Sequence, residues 1–86
     1  MHEGLERLAG EVDIATVAEV TDRVLANPAT NVVLDAGELT FIDSSGLRGL
    51  LDAKRVLDEQ GRKLTIVNRP PMLIRLLEIT GMSDNF

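Results

Sequence analysis

Three short apolar stretches of the chain have the spacing and composition of β-strands. Residues 5–9 alternate weakly between apolar and polar side chains and are closed by Gly10. Residues 32–34 and 64–67 are short, mainly apolar runs bounded by polar residues. We expect the run at 32–34 to be a central strand covered on both faces, because such strands lack polar alternation. After it, residues 36–38 have the composition of a turn.

The segments between these strands have apolar residues at helical spacing. Asp13 is the predicted cap of a first helix that ends at Asn27-Pro28. A second helix is predicted from Gly46 to about Gln60, and a third from Pro70 to Gly81. The expected apolar stripe of the second helix consists of Leu47, Leu50, Leu51 and Leu57, with Ala53 at its margin. Within this stripe we expect Leu50 and Leu51 to be more buried than Leu47.

The resulting order is β-α-β-α-β-α within one domain, residues 1–86. Regular alternation of this kind predicts an α/β fold with at least a parallel core and right-handed crossovers.

Before the second helix lies a run of small, mainly polar residues, Asp43-Ser44-Ser45-Gly46, which we call the focal segment. Asp and Ser are preferred N-cap residues, because their side-chain oxygens accept hydrogen bonds from free N–H groups. Gly46 permits close backbone approach. The segment therefore predicts a helix start that presents two hydroxyls beside a carboxylate. Taken alone, it is also a common turn composition, and a plain helix cap would account for it.

Composition and charge narrow the classes of partner. The 86 residues include two Phe, no Trp or Tyr and no Cys, and the net charge is −5. The negative charge argues against nucleic-acid binding, because that function needs a basic surface. The absence of cysteine excludes disulfides and thiolate metal sites. The charged N-terminus lacks the features of a signal peptide, and no apolar run approaches the ~20 residues of a membrane span. We therefore expect a cytoplasmic protein without metal, cofactor or membrane contact.

The sequence gives no support for an enzyme. A nucleophilic serine needs a nearby base, but the only histidine, His2, lies within residues 1–4, which we expect to be loose. Lys54 lies two to three helical turns from the two serines, which is too far for a Ser–Lys pair. No nucleotide-binding glycine motif is present, and the carboxylates of Asp58 and Glu59 have the pattern of a solvated face.

Four blocks of sequence, in this order, resemble the STAS domain family, and specifically the bacterial anti-sigma factor antagonists. They include the focal segment and cover nearly the whole chain: residues 8–13 with 32–35, residues 41–47, residues 61–68 and residues 76–82. The resemblance implies a small α/β domain with a mixed sheet. It also implies a function: binding an anti-sigma factor that is a serine kinase, so that the sigma factor is released.

The resemblance also assigns roles to residues. Ser44 matches the serine that the kinase phosphorylates, which ends the binding, and a PP2C-type phosphatase resets the switch. The residues matching the kinase-facing segment and its neighbouring loop are Asp13, Asp43, Ser45, Gly46, Leu47 and Arg48. Of these, Ser45 is expected to cap or shape the turn, and Arg48 replaces the small residue of many members.

The sequence departs from the family pattern at two places, one near each end. Members usually have a strand ahead of the block at residues 10–13 and a further element after the last Gly-Met, so this chain is expected to be minimal or truncated at both ends. Its first strand would then be a free edge able to pair with a second copy. Two alternative functions remain open: a short STAS subunit of a lipid-transport ABC system, and a signalling scaffold.

Overall fold

Three strands alternate with three helices along residues 3–86, the part of the chain that the computed structural model describes. This confirms the predicted order of elements. Glu3 and Gly4 belong to the first strand, whereas Met1 and His2, also expected to be loose, lie outside the described residues. The elements are β1 (Glu3–Val12), α1 (Val17–Ala26), β2 (Asn31–Ile42), α2 (Ser44–Glu59), β3 (Lys63–Val67) and α3 (Pro71–Ile79).

The sheet has the strand order β1-β2-β3, and both pairings are parallel. The α/β fold class is therefore confirmed. The mixed sheet implied by the family resemblance is not found within residues 3–86, where every strand pairing is parallel. The first strand, predicted at residues 5–9, is confirmed and extends over Glu3–Val12.

Only one face of the sheet is well covered. In β2, Val32 and Leu34 are fully buried, whereas Val33 between them is half-buried, and Leu5 of β1 is 69% exposed. The expectation that β2 is covered on both faces was therefore wrong. With strands in sequential order, crossovers of a single hand carry both connecting helices to the same side of the sheet.

The β2 strand is longer than predicted. It continues through residues 36–38, where the sequence predicted a turn, and reaches the focal segment without a break. Ala36 and Leu39 are both buried, which keeps this part of the strand against the core. In place of the predicted turn, the pairing between β1 and β2 has two register shifts. A bulge of this kind accommodates a glycine without ending the strand.

The buried face of α2 differs from the predicted stripe. Leu47 and Leu50 are 1% and 0% exposed, whereas Leu51 is only half-buried, so the expectation that Leu51 is more buried than Leu47 was wrong. Close contact at two glycines fixes this rotation: a Cβ on Gly46 would lie 2.3 Å from the Val12 carbonyl oxygen, and one on Gly49 would lie 2.5 Å from a Val17 methyl. The face of α2 that packs inward contains Gly46, Leu47, Leu50, Ala53 and Leu57.

Candidate functional site

The focal segment connects the carboxyl end of β2 to the first turn of α2. Asp43 is the N-cap, with extended backbone angles, and its Oδ1 accepts a hydrogen bond from the Gly46 N–H at 2.9 Å. The Asp43 carbonyl accepts from the Leu47 N–H at 3.0 Å. The predicted helix start is thus confirmed. The cap is Asp43 and not Ser45, so of the two roles expected for Ser45 only that of shaping the turn remains, and both serines lie inside the first turn.

The two serines differ in exposure. Ser44 is exposed and Ser45 is half-buried. In the described part of the chain, neither hydroxyl has a hydrogen-bond partner. Because Asp43 supplies the cap, the Ser44 hydroxyl is not needed to hold the helix and remains available for chemistry.

The loop after β1 lies beside this segment. The Val12 carbonyl accepts a hydrogen bond from the Asp43 N–H at 3.4 Å, which joins the end of β1 to the start of α2. The next residue, Asp13, uses its Oδ1 to accept from the N–H groups of Ala15 at 2.9 Å and Thr16 at 3.2 Å. Asp13 therefore holds the turn that precedes α1. The prediction that it caps α1 directly was wrong, since that helix has Thr16 as its N-cap residue and begins at Val17.

A groove of about 880 Å³ lies along the first three turns of α2. It brings together four of the predicted site residues; Asp13, Asp43 and Gly46 are close to it in the chain but do not line it. Sequence reasoning missed several members, including Ile14, an 81% exposed apolar side chain next to Asp13. The lining is formed by Ile14, Ser44, Ser45, Leu47, Arg48, Gly49, Leu51, Asp52, Arg55, Thr80 and Met82.

The charged residues of the groove are arranged along α2. Asp52 and Arg55 form an exposed ion pair, with 3.7 Å between a carboxylate oxygen and a guanidinium nitrogen. Arg48 is exposed, and within residues 3–86 it makes no ion pair and donates no side-chain hydrogen bond. The groove therefore offers a hydroxyl, an apolar contact at Ile14 and a free guanidinium group to a partner.

One carboxylate elsewhere has a shifted pKa. The Gly37 backbone N–H donates to Asp35 Oδ1 at 2.9 Å, and the Asn68 side-chain amide donates to the same oxygen at 3.1 Å. These donors, the backbone N–H first, hold the pKa of Asp35 below its usual value. Asp35 is not part of the groove.

Two negative findings concern the described part of the chain. In residues 3–86, no group of three or more His, Cys, Asp or Glu side chains is placed to hold a metal ion. Over the same residues, no helix is long and apolar enough to cross a membrane.

Comparison with known proteins gives a consistent result. The family model described as "Mlab, STAS domain" matches residues 3–85. The anti-sigma-B factor antagonist of Bacillus subtilis (strain 168) is 28% identical over 79 residues, which cover 90% of this chain and 72% of that protein. The anti-sigma-B factor antagonist of Listeria monocytogenes serovar 1/2a (strain ATCC BAA-679 / EGD-e) is 32% identical over 80 residues, covering 90% and 70%.

A solved structure agrees in fold. The anti-sigma factor antagonist SpoIIAA in its unphosphorylated form superposes with a TM-score of 0.76 at 23% identity, covering 95% of this chain and 75% of that one. The family model, the relatives and the shared fold lead to one conclusion: this chain belongs to the STAS domain family and is similar to its anti-sigma factor antagonists.

Proposed function

We propose that this protein is an anti-sigma factor antagonist switched by phosphorylation of Ser44. In this proposal it binds an anti-sigma factor serine kinase through the groove along α2 and so releases the sigma factor. The observation that carries the proposal is the exposed Ser44 hydroxyl, which lies in the first turn of α2 and lines the groove. The names of the relatives supply the class of partner.

The fold can accept a phosphate at Ser44. The side chain is exposed, and Asp43 already provides the cap, so no hydrogen bond of the folded state is lost. A phosphoserine carries about −1.5 to −2 charges. Negative charge in the first turn of a helix is favoured by about 0.3–1 kcal/mol when exposed. Phosphorylation should therefore leave the domain folded.

A partner seated on the groove could not accept that phosphate so easily. Binding would remove water from a dianion that adjoins the Asp43 carboxylate in sequence, and the loop containing Asp13 lies nearby. Desolvating an uncompensated charge costs several kcal/mol, and each ~1.4 kcal/mol lowers affinity tenfold. The same modification is thus tolerated by the fold and rejected by the interface, as a switch requires.

The proposed binding residues contribute in two ways. Arg48 presents an exposed side chain to a partner, and Asp13, Asp43 and Ser45 present half-buried ones. Gly46 and Leu47 are both buried, so their main contribution is to set the position of α2 against β1.

The remaining parts of the proposal rest on the family resemblance of the sequence. The chain itself performs no catalysis: the kinase adds the phosphate, a PP2C-type phosphatase removes it, and the exchange takes place in the cytoplasm. No nucleic acid, metal or cofactor takes part.

The test uses the wild-type protein, Ser44→Ala, Ser44→Asp and the matched control Ser45→Ala. Each is incubated with ATP and the serine kinases encoded near its gene, and phosphate is located by fragmentation mass spectrometry. Wild type and Ser45→Ala should gain one phosphate at Ser44, and Ser44→Ala should gain none. In calorimetric titration, Ser44→Ala should bind the kinase like the wild type, and Ser44→Asp at least about tenfold more weakly.

Three results would contradict the proposal. Phosphate mapped to Ser45 would overturn the site. Equal affinity of Ser44→Asp and wild type would refute the electrostatic account of release. Absence of both binding and phosphate transfer, together with co-purification with a permease and an ATPase, would instead favour the alternative role in a lipid-transport ABC system.

A further inference from the structure

Arg48 is a charged residue close to the proposed phosphorylation site. It lies four residues after Ser44 on α2, and both residues line the same groove. Residues four apart on a helix have Cβ atoms about 5–6 Å apart and share one face. Arg48 therefore lies one helical turn from the proposed phosphate site.

The direction of helical side chains brings the two groups closer. Each Cα–Cβ bond of an α-helix tilts toward the N-terminus, so a long side chain covers the turn that precedes it. For Arg48 that turn contains Ser44. The guanidinium group can reach a phosphate on the Ser44 oxygen without any change in the backbone.

Arg48 is also the arginine of the groove that is free to respond. Arg55, about two turns farther along the helix, already pairs with Asp52 at 3.7 Å. Arg48 makes no such pair in the part of the chain that the structure covers, and its side chain is exposed. Forming a new ion pair there breaks no existing contact.

We propose that Arg48 is the internal counter-ion of the phosphorylated Ser44, which deepens, and rests on, the proposed function. Its planar fork of N–H groups matches the phosphate oxygens and can donate to two of them. Pairing moves the guanidinium group from the open groove to the phosphate. Phosphorylation then changes the partner-facing surface twice: it adds a dianion, and it withdraws the free cation.

The pairing also keeps the phosphate doubly charged. The second ionisation of phosphoserine lies near pH 6, close enough to neutral for its neighbours to matter. The carboxylates near this position, Asp13 and Asp43, disfavour the second negative charge, and the Arg48 guanidinium favours it. Arg48 therefore lowers the pKa of the phosphate and extends the doubly charged off state to lower pH.

The experiment measures that pKa without any kinase. Phosphoserine is incorporated at position 44 during translation by an expanded genetic code, and the phosphate is titrated by ³¹P NMR. The comparison is between the parent protein and the variants Arg48→Gln, Arg48→Lys and Arg55→Gln, with folding verified by circular dichroism. Arg48→Gln should raise the phosphate pKa by about half a unit, the size expected for an exposed ion pair.

The other variants make the result specific. Arg48→Lys should keep most of the pKa lowering, because it keeps the positive charge. It should not keep all of it, because lysine cannot form the bidentate contact. Arg55→Gln removes an arginine of the same groove and should shift the pKa much less. Equal pKa values for the parent protein and Arg48→Gln would overturn the inference, as would equal shifts for Arg48→Gln and Arg55→Gln.

This readout is independent of the proposed function. If no kinase binds or phosphorylates the chain, the ³¹P titration still reports whether Arg48 pairs with a phosphate at this position. If Ser44 is the kinase target but the titration shows no effect of Arg48, the switch stands and the counter-ion is refuted.

Discussion

Replacing Gly46 by alanine inserts a methyl group into a close contact between α2 and β1. The new Cβ would lie 2.3 Å from the Val12 carbonyl oxygen, 2.9 Å from the Val12 carbonyl carbon and 3.0 Å from Ile42 Cγ1. Two of the three atoms belong to the backbone, which cannot rotate away as a side chain can. Since Cβ contacts shorter than 3.0 Å are essentially not found, α2 and β1 must separate by at least 0.7 Å, the difference between 3.0 and 2.3 Å.

Two opposing contributions set the magnitude. Alanine is favoured over glycine inside a helix by about 1 kcal/mol, which stabilises the variant. Overpacking of a rigid core site typically costs about 1–3 kcal/mol and sometimes more. Because the obstacle here is backbone and the overlap is large, we expect the cost to dominate, with a net loss of about 1–3 kcal/mol. For a domain of this size, that lowers Tm by about 5–20 °C.

Urea unfolding followed by circular dichroism measures the loss, with Gly49→Ala as the matched control. Gly49 lies in the same helix, so the gain in helix propensity is equal, but its Cβ would contact the Val17 side chain, at 2.5 Å, rather than backbone. Gly49→Ala should therefore cost less than Gly46→Ala. If Gly46→Ala is as stable as the wild type, or more stable than Gly49→Ala, then the backbone contact does not fix the position of α2.

Three further predictions concern other parts of the fold. Leu47→Ala should lower the free energy of unfolding by about 2–5 kcal/mol and Leu51→Ala by clearly less, because only Leu47 is fully buried; equal losses in urea titrations would contradict the assigned rotation of α2. The lowered pKa of Asp35 means that its ionised form stabilises the fold above the unfolded-state pKa and that this contribution is lost as pH falls through the folded-state pKa. Asp35→Asn should therefore have a lower Tm than the wild type at neutral pH, and the difference in Tm should shrink in acid. If thermal melts show the same difference in Tm down to strong acid, the ionised Asp35 does not stabilise the fold. Within residues 3–86, β1 pairs with β2 alone, so we propose that its other edge pairs with a second copy of the chain. Sedimentation should show dimers that the substitution Leu5→Lys weakens, and a monomer at every concentration would refute the pairing.

The order of elements could be predicted from the sequence because each element carries its own local signal. Apolar runs marked the strands, helical spacing marked the helices, and glycines marked helix ends: Gly61 and Gly81 do follow α2 and α3 with positive φ angles of 72° and 71°. The Asp43 cap was equally local, because cap and first turn are neighbours in the chain. The family resemblance then supplied the class of partner, which no spacing of residues contains.

Most of the errors involve contacts between distant parts of the chain; the cap of α1, which is Thr16 and not Asp13, is a local exception. Whether Leu47 or Leu51 faces the core depends on how closely α2 approaches Val12 and Val17, and a helical wheel does not contain that distance. The turn predicted around Gly37 is instead part of β2, because pairing with β1 absorbs the irregularity as register shifts. Likewise, no local pattern marked Ile14 as a groove residue, since it is brought there by a loop.

The one-sided sheet has a consequence for how the sequence can change over time. Where helices cover a single face, only every second residue of a strand is constrained by packing, and its neighbours face solvent. In a scan of all single substitutions, tolerance along β1 should therefore alternate with a period of two. Leu8 and Val12 should accept few replacements, whereas Leu5, Arg7 and Ala9 should accept many. The open face is thus where this chain can accumulate differences from its relatives while its helices and its core remain the same.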